Sequence, residues 1–433
     1  MVATLIIAGL TFLLTILSIL FFPHIKIKSI QLDTYWMVAL IGAIILLASS
    51  LAPLNEVWNQ LTSDDAINPI KIIILFSSMT LISVMLDELG LFRFLASVAS
   101  KHAQGNQHLL FIVLYFLTSV LTVFTSNDVV ILTLTPFICF FARRSKINPI
   151  PYLVAEFMAA NTWSLMFVIG NPTNIYLATS SGITFADYFK VMAIPTVVAG
   201  VVELLLLLLI FHRYLKQTLQ NNDLVYHVED KISVIVGLSV LGVCLVFLVI
   251  SSYINLEIWL IALISASSLL IFMLIYSLIN KKEMAHVGYA LKRLPYQLIP
   301  FFISMFVIVV ALNYQGISER FAGFLGNQNT IWVYGYTSFL ASNLINNIPM
   351  SILFTNLTST LSGASFYQAV YASIIGSNIG AFLTPIGALA GIMFSGLVND
   401  NHVHFTFLDF IKYGAIVSIP VITVCLALTQ LFI

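Results

Sequence analysis

Residues 183–195 read ITFADYFKVMAIP, and residues 405–417 read FTFLDFIKYGAIV. Set against each other without gaps, six of thirteen positions are identical: Thr184 with Thr406, Phe185 with Phe407, Asp187 with Asp409, Lys190 with Lys412, Ala193 with Ala415 and Ile194 with Ile416. The offset is 222 residues. Asn127-Asp128 match Asn346-Asn347 at 219, while Asn161 matches Asn378 and Gly170 matches Gly387 at 217. A nearly constant offset over several polar landmarks indicates two copies of one unit. The first copy is assigned to residues 1–212 and the second to 232–433, with a polar cytoplasmic linker at 213–231.

Composition says where such a unit lives. Lys and Arg number 18, as do Asp and Glu, so charged residues make up 8% of 433, against about a quarter in soluble domains. With 60% apolar residues and a mean hydropathy of +1.02, the chain reads as one polytopic body with the lipid bilayer as its partner. The formal net charge is zero and no basic run exceeds two residues, which leaves no footprint for nucleic acid. Cys139, Cys244 and Cys425 lie singly in apolar stretches and form no metal-binding spacing.

Apolar runs of membrane-crossing length or shorter fall at about 2–22, 35–54, 69–87, 108–124, 128–142, 150–180, 188–212, 232–251, 256–279, 298–312, 330–345, 348–361, 366–398 and 406–432. No Lys or Arg precedes the first run and no small-residue cleavage site follows it, so it reads as a helix and not a signal peptide. Putting 23–34, 90–107, 142–150, 212–231, 280–297 and 399–405 in the cytoplasm collects fourteen Lys and Arg there, including Lys28, Lys281 and Lys282. Only Lys71, Lys190 and Arg320 then lie outside. Positive loops stay in the cytoplasm, so this predicts an N-terminus outside and a multi-pass protein of the cell membrane. The segments 108–142 and 330–361 become hairpins of opposite orientation. The fold class expected is therefore all-α, with two inverted-topology repeats, each holding a re-entrant helical hairpin and a broken transmembrane helix. That architecture is typical of secondary transporters with a midplane site between the repeats.

Four polar breaks carry the candidate site. The first hairpin turns at Thr125-Ser126-Asn127-Asp128 and the second within Ser342-Asn343-Leu344-Ile345-Asn346-Asn347, with Pro349 just after. The run 150–180 breaks at Gly170-Asn171-Pro172-Thr173-Asn174, and 366–398 breaks at Leu383-Thr384-Pro385-Ile386-Gly387. Asn-Pro and Thr-Pro pairs read as an N-cap followed by Pro at the first helical position, so four helix N-termini should meet at mid-depth. We assign substrate binding to Ser126, Asn127, Asn171, Pro172, Thr173, Asn174, Asn346, Asn347, Thr384 and Pro385. Ion coupling is assigned to Thr125, Asp128, Glu156, Asn161, Gly170, Ser342, Asn343, Ser377, Asn378 and Gly387. Asp128 is the sharpest of these, because its repeat partner Asn347 is neutral. A lone buried carboxylate takes a proton or binds a cation, or else is an ionised N-cap held by its own helix dipole. Glu156 reads as a coupling group or a structural hydrogen-bond partner. Glu203, before six leucines, reads as a subunit-contact or near-interface residue, and Asp87, Glu88 and Arg93 as solvated helix ends.

The stretches TSNDVVILTLTPF (125–137), GNPTNIYLA (170–178), SNLINNIPM (342–350) and GSNIGAFLTPIGALAG (376–391) resemble the ion transporter superfamily. Within it the chain is most similar to the arsenical pump membrane protein (arsenite permease) family, related to NhaD-type sodium/proton antiporters and divalent anion/sodium symporters. In the divalent anion relatives both tips carry Ser-Asn-Thr. Here Asp128 and Leu344 stand in place of the threonines, which turns the reading away from dicarboxylate and sulfate. The resemblance implies an elevator mechanism, a transport domain at about 108–180 plus 330–398 moving against a scaffold of the remaining helices, and a homodimer. It also implies a possible soluble ATPase subunit, since the chain itself has no P-loop.

The expected function is secondary transport of a small anion or its neutral acid, with proton-coupled arsenite or antimonite efflux as the leading reading. None of the proposed site residues is basic, which suits a neutral trihydroxy acid. The alternatives are a sodium/proton antiporter and a sodium-coupled dicarboxylate, citrate or sulfate symporter, so the coupling ion is H⁺ or Na⁺. No metal or organic cofactor is expected. An intramembrane enzyme lacks HExxH, paired catalytic aspartates or a Ser–His pair, and a channel fits inverted halves less well than alternating access does.

Overall fold

The structure, a computed structural model, describes all residues except 23, 28–29, 64–67, 104, 217–225, 229 and 281–284. Most of the linker 213–231 and the loop lysines Lys28, Lys281 and Lys282 therefore lie outside the described residues.

The first half runs α1 (Val2–Phe21), β1 (His24–Ile27), β2 (Ile30–Asp33), α2 (Tyr35–Ala48), α3 (Leu54–Thr62), α4 (Pro69–Glu88), α5 (Leu91–His102), α6 (Gln107–Phe124), α7 (Asn127–Ser145), α8 (Ile150–Trp163), α9 (Pro172–Ser180) and α10 (Phe185–Phe211). The second half runs α11 (Lys231–Ile250), α12 (Ile258–Ile279), α13 (Ala285–Lys292), α14 (Leu298–Tyr314), α15 (Ile317–Leu325), α16 (Thr330–Ile345), α17 (Asn347–Thr358), α18 (Gly363–Gly380), α19 (Leu389–Asp400) and α20 (Phe407–Thr429). Helix for helix, α1–α10 and α11–α20 follow the same order. A short antiparallel hairpin, His24 opposite Asp33, is the one strand pair among the described residues.

Contacts repeat the duplication. α1 packs on α2 as α11 packs on α12, α6 on α8 as α16 on α18, and α5 on α7 as α15 on α17. Across the halves, α2 lies against α14 and α12 against α4, while α9 meets α17, α19 meets α7 and α10 meets α20. The two halves are thus interdigitated. The tightest crossing joins α16 and α18. A Cβ on Gly376 would stand 2.4 Å from the Gly335 carbonyl oxygen, and one on Gly380 would stand 2.8 Å from that of Phe339. Small residues let membrane helices approach to backbone contact.

Sequence signals explain the boundaries. Asn68 accepts from the Ile70 and Lys71 N–H groups ahead of Pro69, Asn106 accepts from His108 and Leu109, and Thr406 forms a capping box with Asp409. Seven helices among the described residues are long and apolar enough to span a membrane, and α14 with α15 makes a further pair bent by 79°. The bend falls at Gly316, whose φ of 66° is left-handed and costs glycine little. The short amphipathic helices α3, α5, α13 and α15 were not among the expected apolar runs, because each presents only one apolar face.

Candidate functional site

At the first hairpin tip α6 stops at Phe124, and the extended Ser126 leads into α7. Thr125 Oγ1 returns a hydrogen bond to Leu121 O at 2.6 Å. Asn127 Oδ1 accepts from the Asp128 N–H at 2.9 Å, and its amide donates to Asn161 Oδ1 at 3.3 Å. Asn161 is tied in turn to Phe157 O at 2.8 Å. Asp128 is half-buried. Ser126 Oγ is buried with no partner among the described residues.

The first broken helix has the expected cap. Asn171 Oδ1 accepts from the Thr173 N–H at 3.1 Å with Pro172 in the first turn. From there the polar side chains reach into the other half. Asn171 Nδ2 donates to Asn378 Oδ1 at 2.9 Å, Asn378 Nδ2 donates to Asn174 Oδ1 at 2.6 Å, and Ser377 Oγ donates to Thr173 Oγ1 at 2.7 Å. Ser164 Oγ also donates to Asn378 Oδ1, at 2.8 Å, and Asn174 Nδ2 donates to Ser164 O at 2.8 Å. Asn378 thus joins α8, α9 and α18 in one buried amide cluster. Gly170 is required here, since a Cβ would meet Ser164 O at 2.2 Å. Ser164 was absent from the sequence assignment. Its signal was its place three residues after Asn161, on the same helix face.

In the second half the hairpin tip is the helix start expected, while the break at Thr384-Pro385 departs from expectation. Ser342 and Asn343 belong to the last turn of α16, and the chain turns at Asn346, whose φ is 70°. Asn346 caps α17 by accepting from the Ile348 N–H at 3.2 Å, and its amide donates to Ile386 O at 3.0 Å. Asn347 donates its N–H to Gly387 O at 3.0 Å. Thr384-Pro385 is not a helix start: α19 begins at Leu389. The reason is competition, because Thr384 Oγ1 donates to Asn343 Oδ1 at 2.6 Å and its carbonyl closes a turn with the Gly387 N–H at 3.1 Å. Asn343 Nδ2 completes the link with 2.9 Å bonds to Phe339 O and Gly380 O. Residues 381–388 therefore brace the second tip instead of presenting a cap.

Among the described residues three carboxylate side chains are buried. Glu156 faces a single hydroxyl, Thr135 Oγ1, 3.0 Å and 2.9 Å from its two oxygens. Glu203 is 0% exposed, which corrects its reading as a subunit-contact residue. α6 and α8 enclose it, Tyr115 Oη 3.0 Å from Oε1 and Thr162 Oγ1 donating to Oε2. Asp87 is 1% exposed and not solvated. Its Oδ2 accepts from Arg293 at 2.6 Å and from Thr133 of α7 at 2.7 Å, and the same Arg293 nitrogen reaches Glu88 at 2.6 Å. Arg93 is exposed as expected.

The breaks thus converge through the α9–α17, α9–α18 and α7–α19 contacts. They carry amides, hydroxyls and helix N-termini, and none of the assigned site residues is Lys or Arg. Such a set can replace water around a small hydroxylated solute. The three thiols are buried and free, and among the described residues no three His, Cys, Asp or Glu side chains come together as for a metal ion.

The model of a family described as citrate transporter (CitMHS) matches residues 34–376. The arsenical pump membrane protein of Escherichia coli K12 is 26% identical over 98% of this chain and 97% of its own length. That of Yersinia enterocolitica is 25% identical over the same shares. Among solved structures, the Alcanivorax borkumensis YdaH transporter, described as having an unusual topology, superposes with a TM-score of 0.56 at 13% identity. The match covers 99% of this chain and 97% of that one.

Proposed function

This chain belongs to the citrate transporter family, a family of membrane transporters, and from that premise we propose that it carries a small anion or its neutral acid by alternating access, with proton-coupled efflux of arsenite or antimonite as the leading reading. The observation that carries the proposal is the chemistry at the breaks. Asn127, Asn171, Asn346 and Thr384 make an uncharged polar set, hydrogen-bonded to neighbouring segments, without a basic side chain. Arsenous acid, neutral near physiological pH, needs hydrogen bonds and no fixed positive charge, whereas citrate would bring several negative charges to be matched. The relatives named as arsenical pumps support the same choice.

In this reading Ser126, Asn127, Asn171 to Asn174, Asn346, Asn347, Thr384 and Pro385 bind the solute. Asp128, backed by Thr125, Glu156, Asn161, Gly170, Ser342, Asn343, Ser377, Asn378 and Gly387, supplies coupling. Residues 108–180 and 330–398 move as an elevator against a scaffold of the remaining helices in a homodimer, with the N-terminus outside. A soluble ATPase subunit is an optional partner. Sodium/proton exchange is the second reading, favoured by Asp128, whose carboxylate accepts no hydrogen bond among the described residues.

The test is the internal pH of proteoliposomes holding a trapped dye, challenged in turn with gradients of Na⁺, arsenite and citrate, with Asp128→Asn as control. Arsenite-driven pH change lost in the variant is the expected result. A response to Na⁺ alone makes the protein an exchanger, and a sodium-dependent response to citrate makes it a carboxylate symporter.

A further inference from the structure

Glu203 lies outside the candidate site, yet its surroundings constrain where protons sit. Tyr115 Oη has three neighbours: Gly200 O at 2.7 Å, Glu203 Oε1 at 3.0 Å and Trp163 Nε1 at 3.2 Å. The indole can only donate, the backbone carbonyl can only accept, and tyrosine has one proton. With that proton on Gly200 O, the shortest contact, the 3.0 Å contact to Glu203 is a hydrogen bond only if the carboxyl supplies the hydrogen. The Thr162 hydroxyl serves the other oxygen. Every contact is then satisfied around a neutral carboxylic acid. The alternative is equally built in. If Glu203 ionises, Tyr115 swings its proton from the carbonyl, which already belongs to the α10 ladder, onto Oε1, and the anion keeps two hydroxyl donors.

Among the described residues no other charged group is hydrogen-bonded or ion-paired to Glu203. α6 offers Tyr115, α8 offers Thr162 and Trp163, α20 bears charge only at Asp409 and Lys412 near its start, and α11 bears no charge beyond Lys231 at its first residue. Toward the end of the bundle where α6 starts and α10 ends, Phe111 and Phe211 are each 0% exposed with ring centroids 6.4 Å apart. They separate Glu203 from the His108 and His212 rings at the rim.

In the opposite direction the side chains are polar and unpaired. Thr118 Oγ1 and Thr122 Oγ1 on α6, and Ser126 Oγ just past its end, are buried with no hydrogen-bond partner among the described residues. Positions 115, 118 and 122 share one helix face, and the run from Tyr115 to Thr122 covers about 10 Å. Hydroxyls in a membrane helix ordinarily bond the carbonyl four residues back, as Ser119 and Thr125 do on this same helix at 2.8 Å and 2.6 Å. Thr118 and Thr122 do not, which leaves them free to bond mobile water.

We propose that Glu203 is a proton-binding site that loads and unloads through the hydroxyl file Thr118, Thr122 and Ser126, opening at the first hairpin tip beside Asp128. On unloading, the Glu203 O–H bond breaks, its proton passes to water in the file and leaves at the tip, and the electron pair stays on the carboxylate under Tyr115 and Thr162. Loading is the reverse. The use of this proton in coupling rests on the transport reading above.

Infrared difference spectroscopy of the full-length protein in lipid, titrated with pH, reads the site directly. The expected result is a protonated-carboxyl carbonyl band that is missing in Glu203→Gln and shifted but present in Tyr115→Phe. In Thr118→Val/Thr122→Val the band persists, while its exchange into deuterated water slows by about tenfold or more. A carboxyl region unchanged by Glu203→Gln overturns the proton site, and exchange unaffected by the double valine variant overturns the file. Arsenite-driven proton flux is then measured in proteoliposomes, where Glu203→Gln should lose flux while arsenite counterflow remains. If the wild type moves no arsenite, the transport reading fails while the infrared band still decides Glu203.

Discussion

At the first hairpin tip Asn127 is followed by Asp128; at the second, Asn346 is followed by Asn347. The same contrast recurs at each buried acid when the halves are superimposed by their offsets, whereas the cap residues Asp187 and Asp409 are common to both. Glu156 answers to Ser373 and Glu203 to Cys425, and counting from the left-handed Gly90 and Gly316, Asp87-Glu88 answer to Asn313-Tyr314. Among the described residues, Asp87, Glu156 and Glu203 are the only carboxylates buried below the surface, and all three belong to the first half. Duplication thus supplied the scaffold twice, and divergence left the acids in one copy. In the proposed reading, the ionisable coupling groups reside in the first half, while the second contributes the neutral coupling residues Ser342, Asn343, Ser377, Asn378 and Gly387 and a braced tip.

The largest effect should come from erasing that difference at the tips. Asp128→Asn gives both tips a neutral amide and is expected to reduce ion-driven flux in proteoliposomes to the level of protein-free vesicles. Retention of full coupled flux would show that charge asymmetry at the tips is incidental.

The next effect separates the paired asparagines. Asn378 bonds Asn171, Asn174 and Ser164 at once, whereas Asn161 bonds Asn127 and its own helix. Removing one partner of a buried polar pair costs about 1–3 kcal/mol per group left unsatisfied. Asn378→Ala should therefore destabilise the protein by about 3 kcal/mol or more and Asn161→Ala by about 1 kcal/mol, read as denaturation in detergent. Equal losses would mean that the amide cluster does not hold the halves together.

Arg293 tests the asymmetry at the ends of α4 and α14. Its guanidinium is the only cation on Asp87 among the described residues and is itself 27% exposed. Arg293→Gln leaves a buried carboxylate with the Thr133 hydroxyl alone, and part of the 3–5 kcal/mol typical of a broken buried pair is expected, about 2 kcal/mol after allowing for solvent at the arginine. The counterpart Asn313 has a buried Oδ1 with no partner among the described residues. Asn313→Leu should be neutral or stabilising in the same assay.

How much of this could be read from the chain follows from the kind of signal involved. Long apolar runs fixed the helices to within a few residues, and the offset revealed the duplication, because both are local patterns. The cap at Asn171-Pro172 was legible for the same reason. Thr384-Pro385 carried an equally good local signal and was overruled by Asn343, a residue 41 positions away. Glu203 looked unpartnered because its partners sit on α6 and α8, 88 and 41 residues earlier. Side-chain pairing across helices leaves no mark in the neighbouring sequence, so the buried acids were visible as residues but not as sites.

The stretch that disclosed the duplication gives the smallest effect. Thr184 and Thr406 each accept from the backbone N–H three residues on at 3.1 Å. Only Thr406 receives the reciprocal bond, its own N–H donating to Asp409 at 3.0 Å. Its matched Thr and Asp residues are therefore helix caps, with the Lys190–Asp187 pair more than half exposed and contributing little. Losing a Thr cap costs about 1 kcal/mol. Thr406→Ala should reach that value, Thr184→Ala should fall short of it, and neither should alter solute flux in proteoliposomes. A loss of flux in either variant would move the shared motif from capping to transport and would place function in what the two halves have in common.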